Sequence, residues 1–238
     1  LVTWRPAATL AIALGVIAAG CLTKAADRVA RTLPADCAAP VRYVALGDST
    51  VEGIGASSAD RTYVAHLYRR LRARYANARV ENLGASGAMS ADVLRTQLDR
   101  AVALEPDLVT VSVGPNDLTG GVRVEAYARN LEAILGRLAS ETGAVVVVNL
   151  LPDLAVTPRF RGTDREDGAG RLSLRFNQAL AGTARHHGVE IVDLYTASRD
   201  EVPRRPYLVA SDGYHPSDQG YQRWAELMWD RIERHVIC

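Results

Sequence analysis

Five short strand-like segments, three of them largely apolar and all separated by stretches with helical spacing, constrain this chain more than any other feature. They are Val41–Leu46, Arg79–Leu83, Leu108–Val113, Ala144–Leu150 and Glu190–Leu194. Ala144–Leu150 is apolar except for Asn149, and Leu108–Val113 except for Thr110 and Ser112. Such runs suit strands covered on both faces. Between them, Tyr63–Tyr75, Ser90 to Leu104, Val124 to Thr142, Leu172–His187 and Ser217 to His235 carry apolar residues at helical intervals. Strands alternating with helices require right-handed crossovers, so the expected architecture is α/β in three layers, with a five-stranded parallel sheet between two layers of helices. A length of 238 residues suits one core with an N-terminal appendage. No repeat of 20–50 residues is visible, which excludes a solenoid.

The appendage reads as an address. Residues 1–21 place one basic residue, Arg5, before an apolar run from Ala7 to Gly20. That layout is a secretory signal, too short to span a bilayer. The run ends Ala18-Ala19-Gly20-Cys21, which resembles the lipobox of bacterial lipoproteins, with Ala18 where a large aliphatic residue is usual. Cys21 is thus a candidate lipidation site, and the alternatives are ordinary cleavage and an uncleaved anchor. The chain is expected to be exported, and either secreted or attached to the envelope membrane through its N-terminus. Residues 22–40 are Ala-rich and polar and read as a tether, which leaves 41–238 as the functional domain. In an oxidising compartment Cys37 and Cys238 are candidates for a disulfide. Loss of 1–21 removes one positive charge and no negative one, from totals of 28 Lys plus Arg and 27 Asp plus Glu. No net field remains to gather nucleic acid, which is excluded as a partner.

In doubly wound sheets ligands bind beyond the carboxyl ends of the strands, and the polar residues of this chain cluster there. Gly47-Asp48-Ser49-Thr50 follows the first run and offers a serine hydroxyl at the sheet edge. Asn82-Leu83-Gly84-Ala85-Ser86-Gly87 follows the second, with glycines that bring backbone N–H groups near a ligand. Gly114-Pro115-Asn116-Asp117 follows the third and presents a side-chain amide. Asp212-Gly213-Tyr214-His215-Pro216 sets a carboxylate three residues before an imidazole, a spacing that lets Asp212 hold one ring nitrogen while the other faces the cleft.

Together and in this order, these motifs resemble the SGNH hydrolase superfamily, the GDSL-type esterases and lipases. The resemblance runs from Val41 to the last helix. Ser49, Gly84, Asn116 and His215 match the four residues behind its letters, and Asp212 its Asp-x-x-His motif. Thr50 replaces the Leu of the eponymous tetrapeptide, and Pro115 fills the variable place of Gly-x-Asn-Asp. The resemblance implies a flavodoxin-like sheet and a serine esterase working through an acyl-enzyme. Ser49 would be the nucleophile, His215 the base and Asp212 its orienting group. The Ser49 and Gly84 N–H groups and the Asn116 amide would form the oxyanion hole. No metal or other cofactor is called for. The substrate would be a small-molecule, lipid or glycan ester. Few aromatics beyond Tyr63, Tyr207 and Tyr214 lie near the motifs, and no long apolar lid segment is present. That favours a short or medium acyl chain.

Four readings compete. Gly84-Ala85-Ser86-Gly87-Ala88 nearly forms a Gly-x-Ser-x-Gly nucleophile elbow but lacks its last glycine. The same site could pass its acyl group to a sugar hydroxyl as an O-acyltransferase, or deacetylate an envelope glycan or lipid. An idle domain could use the same cleft only to bind carbohydrate. His66, His186, His187 and His235 lack ligand spacing for zinc, and the adjacent His186 and His187 are expected to point in two directions. Oligomeric state is not assigned. Val156–Gly170 and Ser198–Ser211 read equally as surface loops framing a cleft or as solvated connections; Arg159, Arg161 and Arg165 in the first could attract an anionic leaving group, although an exposed charged loop is the plainer reading.

Overall fold

The structure is a computed structural model describing Leu1 and residues 31–238. Cys21 and the rest of the expected export signal beyond Leu1 lie outside the described residues. Five parallel strands form one sheet in the order β2-β1-β3-β4-β5: β1 (Arg42–Gly47), β2 (Arg79–Asn82), β3 (Leu108–Ser112), β4 (Val145–Asn149) and β5 (Glu190–Val192). Register pairs Val44 with Val109 and Thr110 with Val147. Every residue of β3 and β4 is buried, as their apolar runs require.

Side chains alternate across the sheet, and the two faces build two cores. Val44 and Leu46 face one with Leu98, Tyr127, Leu131 and Phe176. These come from α4 (Leu98–Ala103), α6 (Val124–Glu141) and α7 (Glu166–His187). Tyr43 and Ala45 face the other, with Leu67 and Leu71 from α2 (Tyr63–Arg74) and Tyr221 and Met228 from α9 (Asp218–Ile232). Short helices stand at the strand ends: α1 (Ser49–Glu52), α3 (Ser90–Asp92) and α5 (Pro115–Thr119). Between α3 and α4 the chain winds as a π-helical turn over Val93–Gln97, so the predicted continuous helix from Ser90 is three segments.

Several boundaries differ from expectation. The loop expected over Val156–Gly170 ends early, because Glu166 and Asp167 supply acidic residues to the first turn of α7. The loop expected over Ser198–Ser211 opens inside α8 (Leu194–Glu201), whose N-cap Asp193 accepts from Thr196 N–H at 2.9 Å. That cap also ends β5 two residues before the predicted limit. Residues 31–40 belong to the domain rather than to a tether: Leu33 is buried, its N–H donates to His235 O at 2.8 Å, and Tyr75 Oη–H donates to Pro34 O at 2.8 Å. Cys37 and Cys238 are disulfide-bonded, with Cα atoms 5.1 Å apart. No helix among the described residues is long and apolar enough to cross a membrane.

Candidate active site

The strand order places β1 beside β3 while their following connections diverge, so a crevice opens beyond the carboxyl ends of these two strands. Gly47 makes the approach feasible. Its φ is +145°, and a Cβ there would sit 1.8 Å from Ser112 O on β3. Gln97, in the π-helical turn, fixes the same residue from the other side: its Oε1 accepts from Gly47 N–H and its Nε2 donates to Gly47 O, both at 2.8 Å. Asp48 then caps α1, its Oδ1 accepting from Thr50 N–H at 2.9 Å and Thr50 Oγ1–H at 2.8 Å. Ser49 is thereby held as the first residue of a helix, where N–H groups lack intrahelical partners.

The His215 loop closes on it. Ser49 Oγ–H donates to His215 Nε2 at 2.8 Å, and His215 Nδ1–H donates to Asp212 Oδ2 at 2.5 Å. Asp212 Oδ1 also accepts from the Tyr214 and His215 N–H groups, at 2.9 and 3.0 Å. Partial burial pushes the Asp212 carboxyl upward, but these hydrogen bonds outweigh it and hold the group below the usual carboxylate range. Asp48 goes the other way. It is 1% exposed, and its Oδ2 has no hydrogen-bond partner among the described residues. Desolvation lifts its carboxyl to about 6 against the Thr50 hydrogen bonds and the His215 charge. Asp117 is also raised, by burial, although it accepts from Ser90 N–H at 2.8 Å and Ser90 Oγ–H at 2.5 Å. Both aspartates organise turns: Asp48 caps α1, and Asp117 holds the start of α3.

A cleft of about 310 Å³ opens at Ser49 and His215, lined also by Ile54, Gly87, Asn116 and Tyr214. Asn116 Nδ2 donates one N–H to Ala88 O at 3.0 Å, and an amide nitrogen has a second to offer. Gly84 is placed differently from expectation. Its N–H donates to Asn82 Oδ1 at 2.9 Å, a Cβ there would meet Val51 Cβ at 2.6 Å, and it is not a lining residue. Gly87, three residues on, lines the cleft with φ +77°, and nothing lies within 4 Å of the place where a Cβ would stand. Neither Gly87 N–H nor Ser49 N–H donates to another group among the described residues. The candidate oxyanion donors are therefore Ser49, Gly87 and Asn116. The sequence held the signal for Gly87, but only the Asn82 side chain shows which glycine N–H is spent.

The remaining candidates separate clearly. Ser86 Oγ–H donates to Glu52 Oε2, which also accepts from Ser86 N–H at 2.6 Å, so this hydroxyl has a carboxylate partner and no imidazole. Tyr63 is buried in the α2/α9 core and Tyr207 is 57% exposed, while Tyr214 lines the cleft. His186 and His187 do not diverge: their rings meet edge to face at 4.8 Å. His187 is drawn across to α6, its Nε2 lying 2.8 Å from Glu132 Oε1. Sequence reasoning missed Gln97 entirely, because a glutamine in a helical stretch carries no sign of the backbone it will meet.

Fold and site thus define a class: a three-layer α/β enzyme with a serine, histidine and carboxylate converging at the β1/β3 crevice. Residues 45–223 match the model of the GDSL-like Lipase/Acylhydrolase family, and the chain belongs to that family of ester-hydrolysing enzymes. Curated protein sequences give no match. Similar solved structures include a catalytic mutant of Axe2, an acetylxylan esterase from Geobacillus stearothermophilus, at 20% identity and TM-score 0.67, covering 81% of this chain and 94% of that one. A lipase/acylhydrolase from Enterococcus faecalis matches at 22% identity and TM-score 0.66, over 82% and 97% of the two chains. The psychrotrophic esterase EstA from Pseudoalteromonas sp. matches at 20% and 0.62, over 81% and 97%. At these identities the likeness is one of fold.

Proposed function

We propose that this enzyme cleaves carboxylic esters through an acyl-Ser49 intermediate. The observation that carries the reading is the unbroken relay from Ser49 Oγ through His215 to Asp212, at 2.8 and 2.5 Å, opening on a cleft. Ser49 Oγ attacks the acyl carbonyl as His215 Nε2 takes its proton, and the imidazolium formed is stabilised by the Asp212 carboxylate. Charge developing on the carbonyl oxygen meets the Ser49 and Gly87 N–H groups and the free N–H of Asn116. His215 then gives its proton to the departing alcohol, and water repeats the sequence to release the acid. The cleft volume of about 310 Å³ supports a short or medium acyl chain. The Cys37–Cys238 bond supports action in an oxidising compartment outside the cytoplasm, in keeping with the export signal and with Cys21 as its attachment point.

The test is hydrolysis of p-nitrophenyl esters from acetate to palmitate by the purified protein, beside Ser49→Ala and His215→Ala. The reading expects a maximum at short or medium chains and a loss of at least about 10³ in kcat in both variants. Activity surviving in Ser49→Ala would overturn it. Acid released in buffer, against acyl transfer to an added alcohol, separates hydrolase from acyltransferase.

A further inference from the structure

We infer that the alcohol portion of the substrate carries a negative charge, read by Arg159; this rests on the ester-hydrolase reading above. Arg159 lines the same cleft as Ser49 and His215. Its guanidinium lies over the Tyr214 ring at 5.0 Å, and that ring in turn meets the His215 ring edge to face at 5.1 Å. The placement is built rather than incidental. Arg159 N–H donates to Gly213 O at 3.0 Å, which ties its segment to the loop that carries Asp212 and His215. Phe160 beside it is buried, and Thr157 Oγ1–H donates to Leu154 O at 2.7 Å. Of the two readings the sequence left open for this segment, a loop framing the cleft is the one that fits, since Arg159 lines it.

The side of the cleft matters. The oxyanion donors lie at Ser49, Gly87 and Asn116, whereas His215 must stand beside the leaving oxygen, because it protonates it. Arg159 is joined to His215 through the Tyr214 ring that lies between them, which brings its guanidinium within reach of the alcohol portion. Beyond Arg159 and Thr119, which it shares with the cleft, a second hollow of about 440 Å³ continues over Leu118, Phe160 and Leu172. Two guanidiniums line it, Arg159 and Arg165, the latter 5.3 Å above Phe160, against one carboxylate, Asp164. Neither arginine forms an ion pair among the described residues, so each is available to an anion. A carboxylate or a phosphate on the alcohol would be recognised by the planar, permanently charged guanidinium.

The test compares kcat/KM for 4-acetoxybenzoate and 4-acetoxyphenyl phosphate with that for neutral 4-acetoxybenzamide, in the wild type, Arg159→Gln, Arg159→Lys and Arg161→Gln. The inference expects the charged-to-neutral ratio to fall about fivefold or more in Arg159→Gln at low salt, chiefly through KM, and to be partly rescued by Arg159→Lys. Arg161, exposed and outside both linings, serves as the control whose loss leaves the ratio unchanged. Of the two charged esters, the one with the larger Arg159-dependent ratio identifies the anion. A ratio within twofold of wild type in Arg159→Gln, or an equal fall in Arg161→Gln, would overturn the inference. Failure of the ester-hydrolase reading would look different: no Ser49-dependent cleavage of any ester. Calorimetric binding of 4-hydroxybenzoate to the wild type and Arg159→Gln then decides, and equal affinities would overturn the inference.

Discussion

Replacing Asp48 with asparagine should stabilise the protein, and do so more at high pH than at low. Asp48 is 1% exposed beneath the nucleophile turn, and only its Oδ1 is engaged, by Thr50. Burial raises its carboxyl from 3.8 to about 6, so the folded state holds the proton more tightly than the unfolded chain. The sign follows: the stabilisation from protonation is complete below pH 3.8 and is lost as pH rises through about 6. At pH 8 the ionised group costs about 3 kcal/mol, and at pH 5 roughly half of that. Asparagine has the same shape, serves equally well as an N-cap, and keeps an oxygen for Thr50. Its amide must still find an acceptor, which subtracts a pH-independent amount from the gain. The difference in unfolding free energy, Asp48→Asn minus wild type, should therefore rise by about 1.5 kcal/mol between pH 5 and 8. Urea unfolding of both proteins at pH 5, 6, 7 and 8, with the disulfide intact, measures it. A difference that stays flat with pH, or falls, would refute the reasoning.

Three further outcomes follow from the same geometry. Asn116→Ala should lower kcat about 10²–10³-fold with little change in KM, because its amide acts on charge that appears only in the transition state; steady-state kinetics on one ester checks it. Gln97→Ala leaves the N–H and C=O of Gly47 without their partners and should cost about 2–4 kcal/mol in chemical unfolding, together with a fall in kcat as the Ser49 turn loosens. Replacing both Cys37 and Cys238 with serine opens a loop spanning 201 residues and should cost up to about 5 kcal/mol, read as a lower urea midpoint than that of the oxidised wild type.

The sheet was legible because burial on both faces leaves a strong trace: the four consecutive valines of β4 admit few other readings. Short, capped elements left a weaker one. Leu194–Glu201 is polar on most of its surface and declares itself only through Asp193, whose capping bond requires the chain to turn there. Gly168 and Gly170 hid the first turns of α7, since glycine disfavours helix unless packing overrides it. At the site, the residue types and their order pointed to Ser49, Asn116, Asp212 and His215 as candidates, and the fold brings these four together. They could not distinguish Gly84 from Gly87, because the choice depends on where one asparagine side chain points. Gln97 escaped for a related reason, and the sequence could not single out Arg159 from Arg161 and Arg165. The roles of Gln97 and Arg159 come from contacts made across 50 residues in one case and 54 in the other, which local pattern does not encode.

The central claim is that Ser49 is the nucleophile. Incubation with a p-nitrophenyl alkylphosphonate, followed by intact-mass and peptide mass spectrometry, tests it directly, because the reagent phosphonylates an activated serine and releases p-nitrophenol. The account predicts one adduct per chain, on the peptide containing Ser49, formed slowly or not at all in His215→Ala. An adduct on Ser86, or labelling of Ser49 unaffected by loss of His215, would contradict it.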